Sequence, residues 1–315
     1  MEKIRLGISA CLLGEKVRYD GGHKLDRFLT ETLGEYVEYL PVCPEVECGM
    51  GVPRQSMRLE GAPESPRLVT VGTGRDFTDR MLNWAKKRVR ELEGEDLCGF
   101  IFKSGSPSSG MEHVKVYEAN SPARKMGTGL FASVFMKHFP RLPVEDEGRL
   151  HDPMLRENFI ERIFVFKRWR EMLVQGQKLN RLVQFHARHK LLIMAHGARH
   201  LRLMGKLVAE AKGRGSIPVF AEYEKLLMEA LTLKATVKKN TNVLQHMMGY
   251  FKKQLSGREK MELIDVISRY YNGDFPLIVP IVLIGHYVQK YNQEYLKEQY
   301  YLNPHPLELR LRNHV

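Results

Sequence analysis

The sequence predicts an α/β domain with a mostly parallel, three-layer sheet, followed by an all-α domain. Three observations predict this order. Short β-rich apolar runs alternate with helix-period runs up to about residue 140, strand signals almost vanish beyond it, and the charge changes character between the two parts. At 315 residues the chain is long enough for two domains that each bury a core. The expected division is a first domain over 1–143 and a second over 144–315.

In the first part, "IRLGISACLL" reads as a strand ending at Cys11, "HKLDRFLTETLG" as a helix stopped at Gly34, and "VEYLPVC" as a strand ending at Cys43. "RLVTVG" and "CGFIF" read as further strands. "DFTDRMLNWAKKRVRELEG" places Phe77, Met81, Trp84, Ala85, Val89 and Leu92 on one helical face, with Gly94 as its stop. "GTGLFASVFMKHF" reads as another helix. The "GTG" at Gly72–Gly74 lacks the third glycine of a dinucleotide fingerprint, so it predicts no nucleotide cofactor. "PRLPVEDEGRLHDP", rich in proline and charge, reads as the linker. Beyond it, "NFIERIFVFKRWREMLV", "LNRLVQFHARHKLLIMAHGARHLRLMGKLVAEA", "FAEYEKLLMEALTL", "TNVLQHMMGYFKKQL" and "KMELIDVISRYY" all show helical periodicity.

Residues 1–150 carry 22 Lys+Arg against 22 Asp+Glu, so the net charge of +12 lies entirely in the remainder. A basic helical half fits a phosphate backbone; a solvated basic face is the plainer reading. No signal peptide is visible, and "FPLIVPIVLIGHYV" is too short for a membrane span and is interrupted by Pro280. Four cysteines in such a chain do not make a disulfide scaffold; in the cytoplasm they stay reduced and available as metal ligands. The expected setting is cytoplasmic.

Cys11 and Cys43 each close a β-rich run and open a polar loop, and "KSGSPSSG" (Lys103–Gly110) follows a third strand. In a parallel sheet, loops at the carboxyl ends of the strands converge on one crevice. The two cysteines and the serine loop are therefore expected to meet. Cys98 opens "CGFIF" and reads as a core residue, whereas Cys48 shares the Cys43 loop and stays ambiguous.

"SACLLG", "VRYDGG", "CPEVECGMGVPR" and "KSGSPSSG" resemble, in order and spacing, the thiouracil desulfurase (TudS-like) family. "LVQFHARHKLLIMAHG", "NTNVLQHMMGYF" and "YLNPHP" resemble the YbgA-like helical domain often fused behind it. The fused arrangement is similar to transfer RNA thiouridine desulfidases, which convert 4-thiouridine to uridine. The resemblance implies a [4Fe-4S] cluster held by three cysteines. Two match Cys11 and Cys43, and Ser109 stands where the third is expected. A serine oxygen is a harder donor than a thiolate, which iron–sulfur clusters favour. Three accounts stand open: a substitution introduced to disarm the enzyme, which the otherwise intact motif favours; Cys48 as the third thiolate; or a cluster-free relative.

Three thiolates leave one iron open to the soft sulfur of a thiocarbonyl, with sulfide as the product released. Glu45, two residues beyond Cys43, is the expected general acid/base, against a reading in which it only caps a helix. The resemblance places Ser104 near the open iron. Ser9, Arg18, Asp20, Arg54 and Lys103 are candidates for lining the crevice. In the basic half, His186, His189, His196 and His200 fall within about 80° of one helical face. Without a companion cysteine or carboxylate motif they read as a half-buried polar face rather than a metal site. Arg188, Lys190, Arg199 and Arg202 are candidates for contacting transfer RNA phosphates. The expected function is thus an iron–sulfur desulfidase acting on 4-thiouridine in transfer RNA, impaired by Ser109. The alternatives are a desulfurase of free thiouracil and a cluster-free RNA-binding protein.

Overall fold

Parallel strands buried on both faces need nearly unbroken apolar runs, and "IRLGIS" and "GFIF" supply them. In the computed structural model, which describes residues 3–118, 122–213 and 215–314, the chain divides into the compact units Met1–Asp152 and Pro153–Val315. The first unit runs β1 (Ile4–Ser9), β2 (Val37–Val42), α1 (Pro44–Glu47), β3 (Met57–Glu60), β4 (Arg67–Thr70), α2 (Thr78–Leu92), β5 (Gly99–Phe102), β6 (Val114–Tyr117), β7 (Arg124–Gly127), α3 (Leu130–His138) and β8 (Val144–Asp146).

One sheet has the order β2-β1-β5-β8, every neighbouring pair parallel. Its central strands bury Leu6, Ile8, Phe100, Ile101 and Phe102 completely. Phe100, Phe131 and Phe135 pack with ring centroids 4.6–5.8 Å apart, tying α3 to β5. α2 buries Met81, Ala85, Val89 and Leu92 as its spacing predicts.

Three local expectations meet a different outcome in the structure. The "PRLPVEDEGRLHDP" stretch is not a linker: Val144–Asp146 becomes β8 beside β5, with Glu145 and Asp146 buried, so the first unit runs past residue 143 to Asp152. Arg149 makes this possible, since its Nε donates to Glu145 Oε1 at 2.6 Å and its backbone N–H to Asp146 Oδ1 at 2.9 Å. "RLVTVG" joins a second sheet of order β4-β3-β6-β7, in which only β3 and β6 are parallel. The helix expected over "HKLDRFLTETLG" is only a short π-turn at Phe28–Thr32 and a 3₁₀ turn at Leu33–Glu35, entered at Asp26, whose carboxylate accepts from the Leu29 N–H.

The second unit consists of α4 (Pro153–Val174), α5 (Leu179–His196), α6 (Ala198–Ala209), α7 (Ser216–Thr232), α8 (Val237–Met248), α9 (Gly257–Asn272), α10 (Ile278–Lys290) and α11 (Glu294–Lys297), with 3₁₀ turns. The long run through "AHGARH" is two helices rather than one. It breaks at Gly197, where a Cβ would stand 2.9 Å from His200 Nδ1. Trp169 stacks on Tyr223 at 5.2 Å and meets Phe185 edge-on at the core of this unit. A capping box at Ser256 and Glu259 starts α9. Among the described residues no helix is long and apolar enough to cross a membrane.

Candidate active site

The carboxyl ends of the four parallel strands supply the site. After β1 the chain turns through Ala10–Leu13, which sets Cys11 at the sheet edge. After β2, Cys43 precedes α1, whose first residue Pro44 has no N–H to satisfy and fits the helix start. After β5 comes Lys103–Gly110, and after β8 comes Glu147. The serine loop is pinned from below by α3: the N–H groups of Gly129, Leu130 and Ala132 donate to the carbonyls of Gly110, Pro107 and Ser108. A Cβ on Gly129 would lie 2.4 Å from Ser108 O, so only glycine allows this approach.

These elements enclose a cavity of about 310 Å³ lined by Ser9, Cys11, Arg18, Cys43, Glu45, Arg54, Lys103, Ser104 and Ser109, together with backbone and smaller groups around them. Ser109 is 3% exposed and lines the same cavity as the two cysteines. Burial is the main cause that pushes the Cys11 thiol up to about 11 and the Cys43 thiol up to about 12, with the Glu45 carboxylate adding to both. Without an electrophile, both sulfurs are therefore thiols at neutral pH; a coordinated metal removes such protons outright.

Glu45 is held from two sides. Ser108 Oγ donates to its Oε1 at 2.6 Å, and Arg54 Nη2 lies 3.8 Å from its Oε2. The Cys43 thiol donates toward Oε2 at 3.7 Å. Arg54 is fixed by donating from Nη1 to Val17 O at 3.0 Å, while its buried Nε has no hydrogen-bond partner among the described residues. On the opposite wall, Lys103 Nζ pairs with Glu147 Oε1, and Ser104 donates to Glu147 from both its N–H (2.6 Å) and its hydroxyl (2.8 Å). The Lys103 N–H in turn donates to Ser9 Oγ at 2.9 Å.

Nine of the ten first-domain candidates thus face one cavity. Asp20 does not: its carboxylate accepts from the Gly22 N–H at 3.0 Å, which lowers its pKa, and lies 3.5 Å from Arg18 Nε beside the loop. Cys48 is also outside the cavity lining, its thiol donating to Glu45 O at 3.4 Å. Cys98 is buried in the core at the start of β5. Sequence reasoning missed Ser108 and Glu147. Ser108 was legible as a loop hydroxyl, but Glu147 lay in the stretch read as a linker.

In the helical unit, the four histidines of the stripe have different partners. His186 Nδ1 meets Tyr223 Oη at 3.1 Å; His189 donates from Nδ1 to Phe185 O and accepts from Arg168; His196 bridges Leu233 O and Glu161; and His200 lies 4.0 Å from Glu229. They do not converge. Lys190, Arg199 and Arg202 are exposed, and Arg188 pairs with Glu298 at 3.3 Å.

Comparison with known proteins places residues 6–147 in the 2-thiouracil desulfurase family model and residues 190–306 in that of a protein of unknown function, DUF1722. The uncharacterized protein YbgA of Escherichia coli strain K12 is 29% identical over 153 residues, 48% of this chain and 90% of that protein. A solved chain described as the [4Fe-4S]-dependent thiouracil desulfidase TudS is 29% identical, covering 48% of this chain and 95% of that one with a TM-score of 0.39.

Proposed function

This chain joins a TudS-like 2-thiouracil desulfurase domain to a YbgA-like helical domain, and from that premise we propose that it hydrolyses the C–S bond of 4-thiouridine in transfer RNA. The observation that carries the reading is the convergence of Cys11, Cys43, Ser109 and Glu45 on one cavity. The family's expected cofactor is a [4Fe-4S] cluster. Cys11, Cys43 and Ser109 line that one cavity, and two of them carry the sulfur such a cluster favours, because the Ser109 oxygen replaces a thiolate. Cys11, Cys43 and the residue at 109 would hold it. When bound, such a cluster supplies an iron open to the thiocarbonyl sulfur.

The remaining work falls to the chain's own residues. The reaction exchanges C4=S for C4=O: the oxygen of water bonds to C4, the C–S bond breaks, and both water protons finish on the departing sulfide. Glu45 Oε2 is the atom placed to take one proton and return it, since Oε1 is already committed to Ser108. Arg54, held by Val17 O and beside Glu45, sets a fixed positive charge at the wall that would receive the base. Lys103 and Ser104, both donating to Glu147, make the opposite wall a fixed polar surface.

The transfer RNA assignment rests on the excess of basic charge beyond residue 150 and on the exposure of Lys190, Arg199 and Arg202, with Arg188 beside them. A cytoplasmic setting suits four cysteines without a disulfide. Ser109 favours one second reading, an RNA-binding protein that has lost catalysis. An anaerobic assay of sulfide release from thiolated transfer RNA and from free thiouracil, with the Ser109→Cys protein alongside, separates these. Release from transfer RNA supports the proposal, release from the free base alone moves the substrate, and release from neither with either protein leaves the binding reading.

A further inference from the structure

The helical unit contains a second convergence that the desulfurase reading does not use. Glu157 and Glu161 sit one turn apart on α4 and so share a face. His305 lies in the "YLNPHP" segment, after α11. One carboxylate oxygen from each glutamate and a ring nitrogen of His305 lie within 4.8 Å of one another. We propose that Glu157, Glu161 and His305 bind a divalent first-row transition ion such as zinc, in a site independent of the desulfurase cavity.

The state of His305 argues for this. Its Nδ1 lies 3.1 Å from Pro306 O, which can only accept, so Nδ1 carries the proton and Nε2 is left with its lone pair. His305 is 7% exposed, and Nε2 is buried with no hydrogen-bond partner among the described residues. A buried imidazole whose far nitrogen donates to a carbonyl is the arrangement that orients a metal-ligating histidine. The other two groups are carboxylates, which also present only lone pairs when ionised. Arg312 answers one oxygen of each carboxylate, and His305 Nε2 adds a lone pair that has no partner among the described residues. One nitrogen and two carboxylate oxygens suit zinc or a similar ion better than an all-oxygen magnesium site.

Neighbouring groups hold this set in place. Arg312 donates to Glu157 Oε1 at 3.0 Å, to Glu161 Oε1 at 2.7 Å and to Tyr301 O at 2.6 Å. His196 bonds Glu161 Oε2 at 2.9 Å and Leu233 O at 2.6 Å. Arg168 donates to Pro304 O at 2.9 Å and so fixes the residue before His305. Each carboxylate oxygen keeps a second lone pair for an ion. Metal–ligand distances of about 2.1 Å would draw the three donors somewhat closer than they stand. A cavity of about 100 Å³, lined by Glu157, Glu161, His196 and His314 but not by His305, reaches the two carboxylates. The motifs "AHG" and "YLNPHP", set apart in sequence, thus meet at one point.

The test is zinc titration of the tag-free, full-length protein carrying Cys11→Ser and Cys43→Ser, which removes the thiols of the other cavity. After dialysis against chelator, one zinc per chain should bind, and a hundredfold excess over Kd should raise Tm by roughly 5 °C. His305→Ala and the milder Glu157→Gln should each lose that equivalent while keeping the helical circular dichroism. His246→Ala, at an exposed histidine of α8, should retain it. Absence of a stoichiometric zinc, or its retention by both His305→Ala and Glu157→Gln, overturns the proposal. Neither result bears on sulfide release, so failure here is distinct from failure of the desulfurase reading.

Discussion

Ser108 donates its hydroxyl proton to Glu45 Oε1 at 2.6 Å across 63 residues of sequence. The loop that carries the third ligand position therefore also fixes the proposed acid/base, so ligand and proton carrier cannot be displaced independently. Ser106 strengthens the coupling, because its Oγ accepts from the Ser109 N–H at 3.1 Å and its hydroxyl donates to Ser108 Oγ at 3.0 Å.

On a Ser109→Cys background, Glu45→Gln should lower kcat by about 10²-fold or more with cluster absorbance unchanged. Ser108→Ala removes only the anchor and should cost about tenfold, the worth of one well-placed hydrogen bond. Steady-state sulfide release under anaerobic conditions measures both. An undiminished Glu45→Gln enzyme would assign that residue to structure.

Reconstitution with iron and sulfide distinguishes the candidate third ligands. The present chain should retain iron poorly through desalting, whereas Ser109→Cys should hold about four irons and four sulfides, the content of one cubane cluster. Because the Cys48 thiol lies outside the cavity lining, adding Cys48→Ser should change neither count. Full loading of the present chain, abolished by Cys48→Ser, would make Cys48 the ligand.

If the helical unit holds transfer RNA through phosphates, log K should fall linearly with log salt. Removing one cation that neutralises a phosphate should reduce the slope by roughly 0.7–0.9. The triple variant Lys190→Ala, Arg199→Ala, Arg202→Ala should flatten the slope by about two units and leave turnover of free thiouracil unaltered. Filter binding from low to moderate salt gives the slope, and an unchanged slope moves the RNA surface elsewhere.

Burial, aided by Lys190, lowers the His186 pKa to about 4, and burial with Arg168 holds that of His189 well below its ordinary value. A histidine with a depressed folded-state pKa binds fewer protons folded than unfolded near pH 5. Its stabilising effect is therefore complete above the unfolded value near 6.5 and falls away as pH drops toward 4. Each such group contributes a slope of up to about 1.4 kcal/mol per pH unit in that window. Thermal melts between pH 7 and 4.5 should show Tm falling steadily, and His186→Gln should soften the fall. A Tm independent of pH over this range would contradict the assigned burial.

The parallel sheet was legible because its strands are nearly pure apolar runs and each ends on a chemically distinctive loop. Cys11, Cys43 and Lys103–Gly110 could be placed together from that rule alone. The second sheet was not legible, since Met57–Glu60 and Arg124–Gly127 are only four residues long and each carries two charged side chains. Glu147 escaped for a related reason. Its neighbours Glu145 and Asp146 are buried acids, tolerable inside only because Arg149 answers them, and pairing of that kind is invisible to a reading of hydropathy. The histidine stripe shows the reverse case: helical spacing put four rings on one face, yet tertiary packing sent each to a different neighbour.

The strand at Val144–Asp146 also determines where this protein can be cut. A fragment ending at residue 143 would lose an edge strand and with it Glu147, leaving the Lys103 ammonium and the Ser104 hydroxyl without their shared acceptor. Such a fragment would expose the flank of β5 and loosen one wall of the cavity, so its inactivity would say nothing about the need for the helical half. Excision after Asp152 keeps the strand, the acceptor and Arg149 together, and is the dissection from which the contribution of each half can be read.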